Sequence, residues 1–287
     1  MKLTYLGTAA SEGWPALFCG CPICREARRA GGRNLRLRAS ALVDEDLLLD
    51  VCPDLEGAMQ RTGVDLSQVR HVALTHCHGD HFAVGLLHWF GPNFNHTKPQ
   101  EPLHLYGSPV AHQRLHELLS RGDGGEDFLC FTELRPYETV TVDARTTLTA
   151  LPAFHGDERV GAQTYLIERV GRRLLYLHDT GMVTDEMLDF LSGKQIHIVS
   201  MDATVGPIPA AKAHGHMGFE HCLDIRRRML DRGLADAQTL FIANHICIHA
   251  CYDEHQHTML MYDDMVRLVE PQGVRIAYDG LSVDADE

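Results

Sequence analysis

The 287-residue sequence has no apolar run approaching the roughly 18 residues that a membrane-crossing helix needs. Its start, Met1-Lys2-Leu3-Thr4-Tyr5-Leu6-Gly7, lacks the charged-then-apolar order of an export signal and reads as a first strand. A cytoplasmic, non-membrane protein is therefore expected. A basic excess is missing too: 26 Lys and Arg stand against 39 Asp and Glu, a formal net charge of -13. Proteins that grip a long polyanion usually carry a basic face, so this balance argues for a small substrate rather than tRNA or DNA. Arg25, Arg28, Arg29, Arg33, Arg36 and Arg38 leave a local basic patch open, with a solvated helix and loop as the plainer reading. Internal repeats, low-complexity tracts and polar linkers are also lacking. Candidate ligands run from His76 to His245, so one continuous domain over residues 1–287 is expected, and a homodimer is compatible with it.

What is present is ordinary globular material, 45% hydrophobic and 23% charged, enough for a substantial core. Nine cysteines, an odd number without an export signal, point to reduced thiols rather than a disulfide framework. Nineteen histidines fall partly in clusters, which invites a metal explanation. Apolar runs predict strands near residues 3–6, 40–43, 47–50, 69–74, 103–106, 148–152, 163–168, 173–177, 196–201, 239–243 and 274–278. Helical spacing predicts helices over 55–61, after His81, and over 111–119, 185–191, 217–230 and 254–268. Loops are expected at 92–102 and 121–126. Strands precede helices in each half, which suits two packed sheets with helices outside.

The most informative segment is Thr75-His76-Cys77-His78-Gly79-Asp80-His81, which follows an apolar strand. His76 and His78, two apart in extended chain, project to one side. Gly79 supplies freedom for the turn that carries Asp80 and His81. Imidazole nitrogens and carboxylate oxygens are the usual ligands of zinc and similar ions, and four within six residues can serve two ions side by side. Two ions so placed can share a water and lower its pKa toward about 7.

This run resembles the T-H-x-H-x-D-H signature of the metallo-β-lactamase superfamily. The resemblance implies an α/β fold, a four-layer αββα sandwich, with His76 and His78 on one metal and Asp80 and His81 on the other. It also implies three later ligands, each after a strand. His155 in Leu151-Pro152-Ala153-Phe154-His155 would complete the first set. Asp179 in Leu177-His178-Asp179-Thr180-Gly181 would bridge the two ions. His245 in Ile242-Ala243-Asn244-His245 would complete the second. His178 is read as structural, because it would point the other way from Asp179.

Phe18-Cys19-Gly20-Cys21-Pro22-Ile23-Cys24 is a second constellation. Thiolates at C-x-C-x-x-C spacing can wrap one zinc and leave a corner for a distant ligand. A redox set or chance clustering of reduced thiols are the rival readings. Together with the first motif, it resembles the PhnP-type phosphodiesterases, a branch related to RNase Z. That branch implies a structural zinc on Cys19, Cys21 and Cys24, within a loop at about residues 18–25. Its fourth ligand would be a histidine shortly after His245. His249 fits, although the interval is one residue longer than the usual His-x-x-His, which leaves Cys247 and Cys251 as alternatives. The PqqB proteins share such a cysteine cluster but lack an intact H-x-H-x-D-H. The same branch carries a helix-opening Gly-His near Met201-Asp202-Ala203-Thr204. Here it is Gly215-His216, with Lys212 and His214 as weaker phosphate contacts and a capping or buried role for His216 as the plain alternative.

The expected activity is a metal-dependent hydrolase, foremost a phosphodiesterase on a small phosphodiester, of which a cyclic phosphoribosyl ester is one form. Two active-site divalent ions, zinc or manganese, and one structural zinc are implied. Asp80 would orient the attacking water and His216 would protonate the departing oxygen. Hydrolysis of a lactone, ester or thioester is the runner-up on the same ligands. A non-catalytic metal sensor is the reading of another class, and the complete ligand set speaks against it. A role in tRNA 3′ processing needs an RNA-gripping arm, and no basic, flexible insertion is long enough.

Overall fold

The computed structural model describes residues 1–97, 101–119 and 126–286. The chain opens with β1 (Lys2–Gly7) and α1 (Pro22–Ala30), then β2 (Ser40–Val43), β3 (Leu47–Leu49), α2 (Leu55–Thr62) and β4 (His71–Ala73). A 3-10 segment, Val84–Phe90, leads to β5 (Leu103–Gly107), α3 (Pro109–Leu119) and β6 (Leu129–Glu133). There follow β7 (Thr139–Thr141), β8 (Thr146–Pro152), β9 (Gln163–Arg169), β10 (Arg172–Leu177), α4 (Asp185–Phe190), β11 (Ile198–Asp202), α5 (Phe219–Asp231) and β12 (Leu240–Asn244). The last elements are the hairpin β13 (Tyr252–Asp253) and β14 (Thr258–Met259), α6 (Tyr262–Val269), β15 (Arg275–Ile276) and β16 (Ser282–Asp284).

Two seven-stranded sheets result. One runs β16-β1-β2-β3-β4-β5-β6 and the other β15-β12-β11-β10-β9-β8-β7. Their facing sides bury Leu3, Tyr5, Leu47, Tyr165, Ile167, Leu174, Tyr176, Ile198 and Ile242 in one apolar layer. The outer face of the first sheet packs Leu48, Val72 and Leu105 against Leu55, Ala58, Leu87, Ala111 and Leu115. The second sheet's outer face packs Leu175, Val199 and Phe241 against Ile23, Leu188, Cys222, Ile225 and Met265. These three apolar layers separate four structural ones, the expected αββα order. Strands β3, β4 and β5 are mutually parallel, as are β10, β11 and β12. Their C-terminal ends therefore gather along one edge.

Several sequence expectations shift. The helix expected over 254–268 begins only at Tyr262, because residues 252–259 form a hairpin whose turn is held by the Asp253 carboxylate accepting from the His255 and Gln256 amides. The helix after His81 is a 3-10 segment rather than an α-helix. The helix expected from Met217 starts at Phe219, after an extended Gly218. Strands β6, β7 and β16 are short or half-exposed and give little apolar pattern to read. The loop expected at 121–126 and part of that at 92–102 lie outside the described residues.

Arg25, Arg28, Arg29 and Arg33 are exposed on α1 and the turn after it, as expected of a solvated helix and loop, whereas Arg36 and Arg38 are not. Arg36 is buried and lies over the Trp14 ring, Arg38 pairs with Asp54, and Arg28 donates to the Cys19 carbonyl. All nine cysteines are free thiols. Among the described residues, no helix is long and apolar enough to cross a membrane.

Candidate metal centre

Each predicted ligand follows the end of a strand on the gathered edge. β4 leads to His76, β8 to His155, β10 to Asp179 and β12 to His245. Asp179 and His245 sit at positive φ, 52° and 58°, as does Asp50 just after β3, at 62°. Left-handed backbone is uncommon outside glycine and is kept where surrounding contacts enforce it.

The side chains converge. His78 Nδ1 meets two nitrogens at once, His76 Nε2 at 3.0 Å and His155 Nε2 at 2.9 Å. His81 Nε2 lies 3.1 Å from His245 Nε2, 2.8 Å from Asp179 Oδ2 and 3.2 Å from Asp80 Oδ2. Asp179 Oδ2 also stands 3.4 Å from His76 Nε2, so its carboxylate touches both sets. The ligand atoms of His76, His78 and His155 form one group within 4.8 Å, and those of Asp80, His81, Asp179 and His245 another. Tetrahedral nitrogens at zinc distances would stand about 3.3 Å apart, so the spacing and the donor types fit divalent ions.

The electrostatics agree with this. Burial and the neighbouring His81 drive the His76 imidazole well below its usual pKa, which leaves it neutral with a lone pair to offer. Burial works against the Asp179 carboxylate, yet the imidazoles of His245, His81 and His76 outweigh it and hold its pKa well below the usual range. The Asp179 Oδ1 atom is buried without a hydrogen-bond partner, a costly state for a carboxylate oxygen unless a cation or donor compensates.

The supporting residues were not legible as such in the sequence. Asp50, fully buried, accepts from the Thr75 amide at 2.7 Å and hydroxyl at 2.9 Å, and meets His81 Nδ1 at 2.7 Å. It fixes the His81 ring so that Nε2 faces the cluster. Thr204 does the same for His245, with its hydroxyl 2.7 Å from Nδ1. The one available signal was an acid closing the apolar Leu47-Leu48-Leu49 run, where a strand end needs no charge.

His216 stands beside the cluster. Its Nδ1 is 2.9 Å from Asp202 Oδ2 and 3.4 Å from Asp179 Oδ1, and its ring lies 4.6 Å from that of His155. Burial disfavours its charged form, but the Asp202 hydrogen bond and the nearby carboxylates raise its pKa to about 9. Asp202 is itself locked by the Thr180 and Thr204 amides. Lys212 and His214 are exposed on the preceding loop. His178 turns inward, with Nε2 2.7 Å from the Ser200 hydroxyl and its ring stacked on Tyr176.

The cysteine constellation also closes. Cys19, Cys21, Cys24 and His249 bring their ligand atoms within 4.8 Å, with His249 Nε2 3.4 Å from Cys19 Sγ and 3.8 Å from Cys24 Sγ. The Cys21 backbone N–H and His249 bring the Cys19 thiol down to about 6, toward the thiolate that binds metal. Cys251 is buried in the core against Met265, and Cys247 groups with Glu12 and His249 rather than with the three cysteines.

A sequence model of the β-lactamase superfamily domain matches residues 46–235. A coenzyme PQQ synthesis protein B from Methylobacterium radiotolerans is 29% identical over 230 residues, 71% of this chain and 73% of its own. Among solved structures, Zn(2+)-bound PqqB from Methylobacterium extorquens superposes with a TM-score of 0.73 at 22% identity, over 99% of this chain and 100% of its own. A diphosphatase of the PhnP family gives 0.72 at 21% identity, over 98% and 96%. At these identities the structural likeness speaks to the fold.

Proposed function

The chain belongs to the metallo-β-lactamase superfamily, and from that premise we propose that it is a metal-dependent hydrolase cleaving a small phosphodiester, the cyclic phosphoribosyl type included. His76, His78 and His155 would hold one ion, and Asp80, His81 and His245 the other, with Asp179 between them. When bound, such ions supply Lewis acidity, polarising substrate oxygens and acidifying water. Cys19, Cys21, Cys24 and His249 would hold a structural zinc. The share of acidic residues favours a compact substrate over a nucleic acid.

The observation that carries the reading is His216. It stands against ligands of both sets, and Asp202 engages its Nδ1. The proton it can pass on is therefore the one at Nε2, a suitable donor to a departing alkoxide. Asp80, the least buried carboxylate of the set, orients the attacking water. The diphosphatase of the PhnP family among the fold's neighbours is consistent with phosphoester chemistry. The second reading is an ester, lactone or thioester hydrolase, and two exposed apolar residues close in sequence to ligands, Phe154 next to His155 and Met182 three residues after Asp179, favour it.

Metal-loaded protein set against bis-p-nitrophenyl phosphate and a lactone panel separates the two. The expected result is phosphodiester turnover, with His216→Ala slowing kcat by about 10²–10⁴-fold while retaining its metal. Turnover of lactones alone would reverse the assignment.

A further inference from the structure

The cysteine-histidine centre has a neighbour whose chemistry is otherwise unexplained. Its fourth member, His249, presents Nε2 to the sulfurs of Cys19 and Cys24. A neutral imidazole that gives the Nε2 lone pair to a metal must carry its proton on Nδ1. That proton needs an acceptor, because His249 stands on a short 3-10 turn with 45% of its side chain exposed, and a free ring would sample several rotamers. The ion-pair partner at Nδ1 is Glu12, with Oε1 3.8 Å away. Glu12 Oε1 is buried and has no hydrogen-bond partner. The buried Glu12 Oε1 therefore faces His249 Nδ1 at 3.8 Å, with the Cys247 thiol as its other polar neighbour.

The backbone holds the two segments side by side. An isolated bridge joins Ala9 to Ile246; the Ala10 amide donates to the Ile246 carbonyl, and the Ile246 amide to that of Thr8. Cys247 completes the arrangement, grouped with Glu12 and His249 and apart from the three cysteines. The interval between His245 and His249 fits this placement, since it sets Cys247 on the Glu12 side of the imidazole.

We infer that Glu12 is a positioning residue for the structural metal, holding His249 by its Nδ1–H so that Nε2 completes the Cys19, Cys21 and Cys24 set. The inference rests on the proposed cysteine-histidine centre. Removing such an outer partner typically weakens metal affinity about 10–100-fold.

The test uses the full chain loaded with cobalt, whose thiolate charge-transfer absorption reports the cysteine centre and not the histidine-aspartate cluster. Competition with a chromogenic chelator then gives the affinity of that centre in wild type, Glu12→Ala, Glu12→Gln and Cys24→Ser. The expected result is loss of the band in Cys24→Ser, a 10–100-fold weaker centre in Glu12→Ala, and partial recovery in Glu12→Gln, whose amide oxygen still accepts. If Cys24→Ser keeps the wild-type band, the centre itself is wrongly assigned. If Cys24→Ser loses the band while Glu12→Ala retains wild-type affinity, the centre stands and the positioning role falls. A metal count that drops by a whole additional ion in Glu12→Ala, with the band unchanged, would make Glu12 a ligand of a separate site and equally overturn the role.

Discussion

Asp50, Asp179 and His245 share a left-handed backbone and a place at the cluster, and each is held there by contacts far along the chain. Asp50 is the most exacting of them. Replacing it with Asn keeps the shape, but the charge that holds the His81 ring is gone and one of its acceptor oxygens becomes a donor. Asp50→Asn is therefore expected to lose about 1–3 kcal/mol of stability and about tenfold or more in active-site metal affinity. A melting curve and the metal content after dialysis measure the two; unchanged metal content would remove Asp50 from its supporting role. The ligands themselves could be read from the sequence, because His76 to His81 carry their spacing in one short run. Their supports could not, because Asp50 meets His81 across 31 residues and Thr204 meets His245 across 41. Nothing local in Ser-, Thr- or Asp-bearing strand ends separates a support from an ordinary cap.

At the scale of elements, the site depends on strand ends and its surroundings on helix caps. Helix α4 begins at Asp185 after Thr184, whose hydroxyl accepts from the Met187 amide at 3.2 Å. Thr184→Ala is expected to cost about 1 kcal/mol, seen as a lower melting temperature with metal content unchanged. Loss of metal in that variant would show that α4 reaches the site. The ion pairs from Arg228 and Arg232 to Asp185 and Asp189 tie α4 to α5 on an exposed surface, where such pairs add little. Strands with continuous apolar runs were legible for the same reason that they are buried on both faces. The hairpin over residues 252–259 was not, since Met259, Leu260 and Met261 mimic the start of an apolar helical stripe. Its turn is decided by Asp253, a signal that is weak without its partners.

At the scale of the molecule, the cluster joins the two sheets. His76, His78, Asp80 and His81 come from the first, and His155, Asp179 and His245 from the second. Ions held there would cross-link the layers in the native state and not in the unfolded chain, adding about 2.7 kcal/mol at a hundredfold excess over Kd. Chelation is expected to lower the melting temperature by several degrees, while the large apolar layer between the sheets keeps the metal-free protein folded by circular dichroism. Equal melting with and without chelator would mean that the cluster binds no ion in the folded protein.

The most direct measurement is metal content by elemental analysis, paired with anomalous X-ray scattering at the metal edge. About three ions per chain are expected, two among the histidines and aspartates and one among the cysteines, with His76→Ala losing metal only from the first group. Wild-type protein purified metal-replete with no ion between His76, Asp179 and His245 would contradict this expectation.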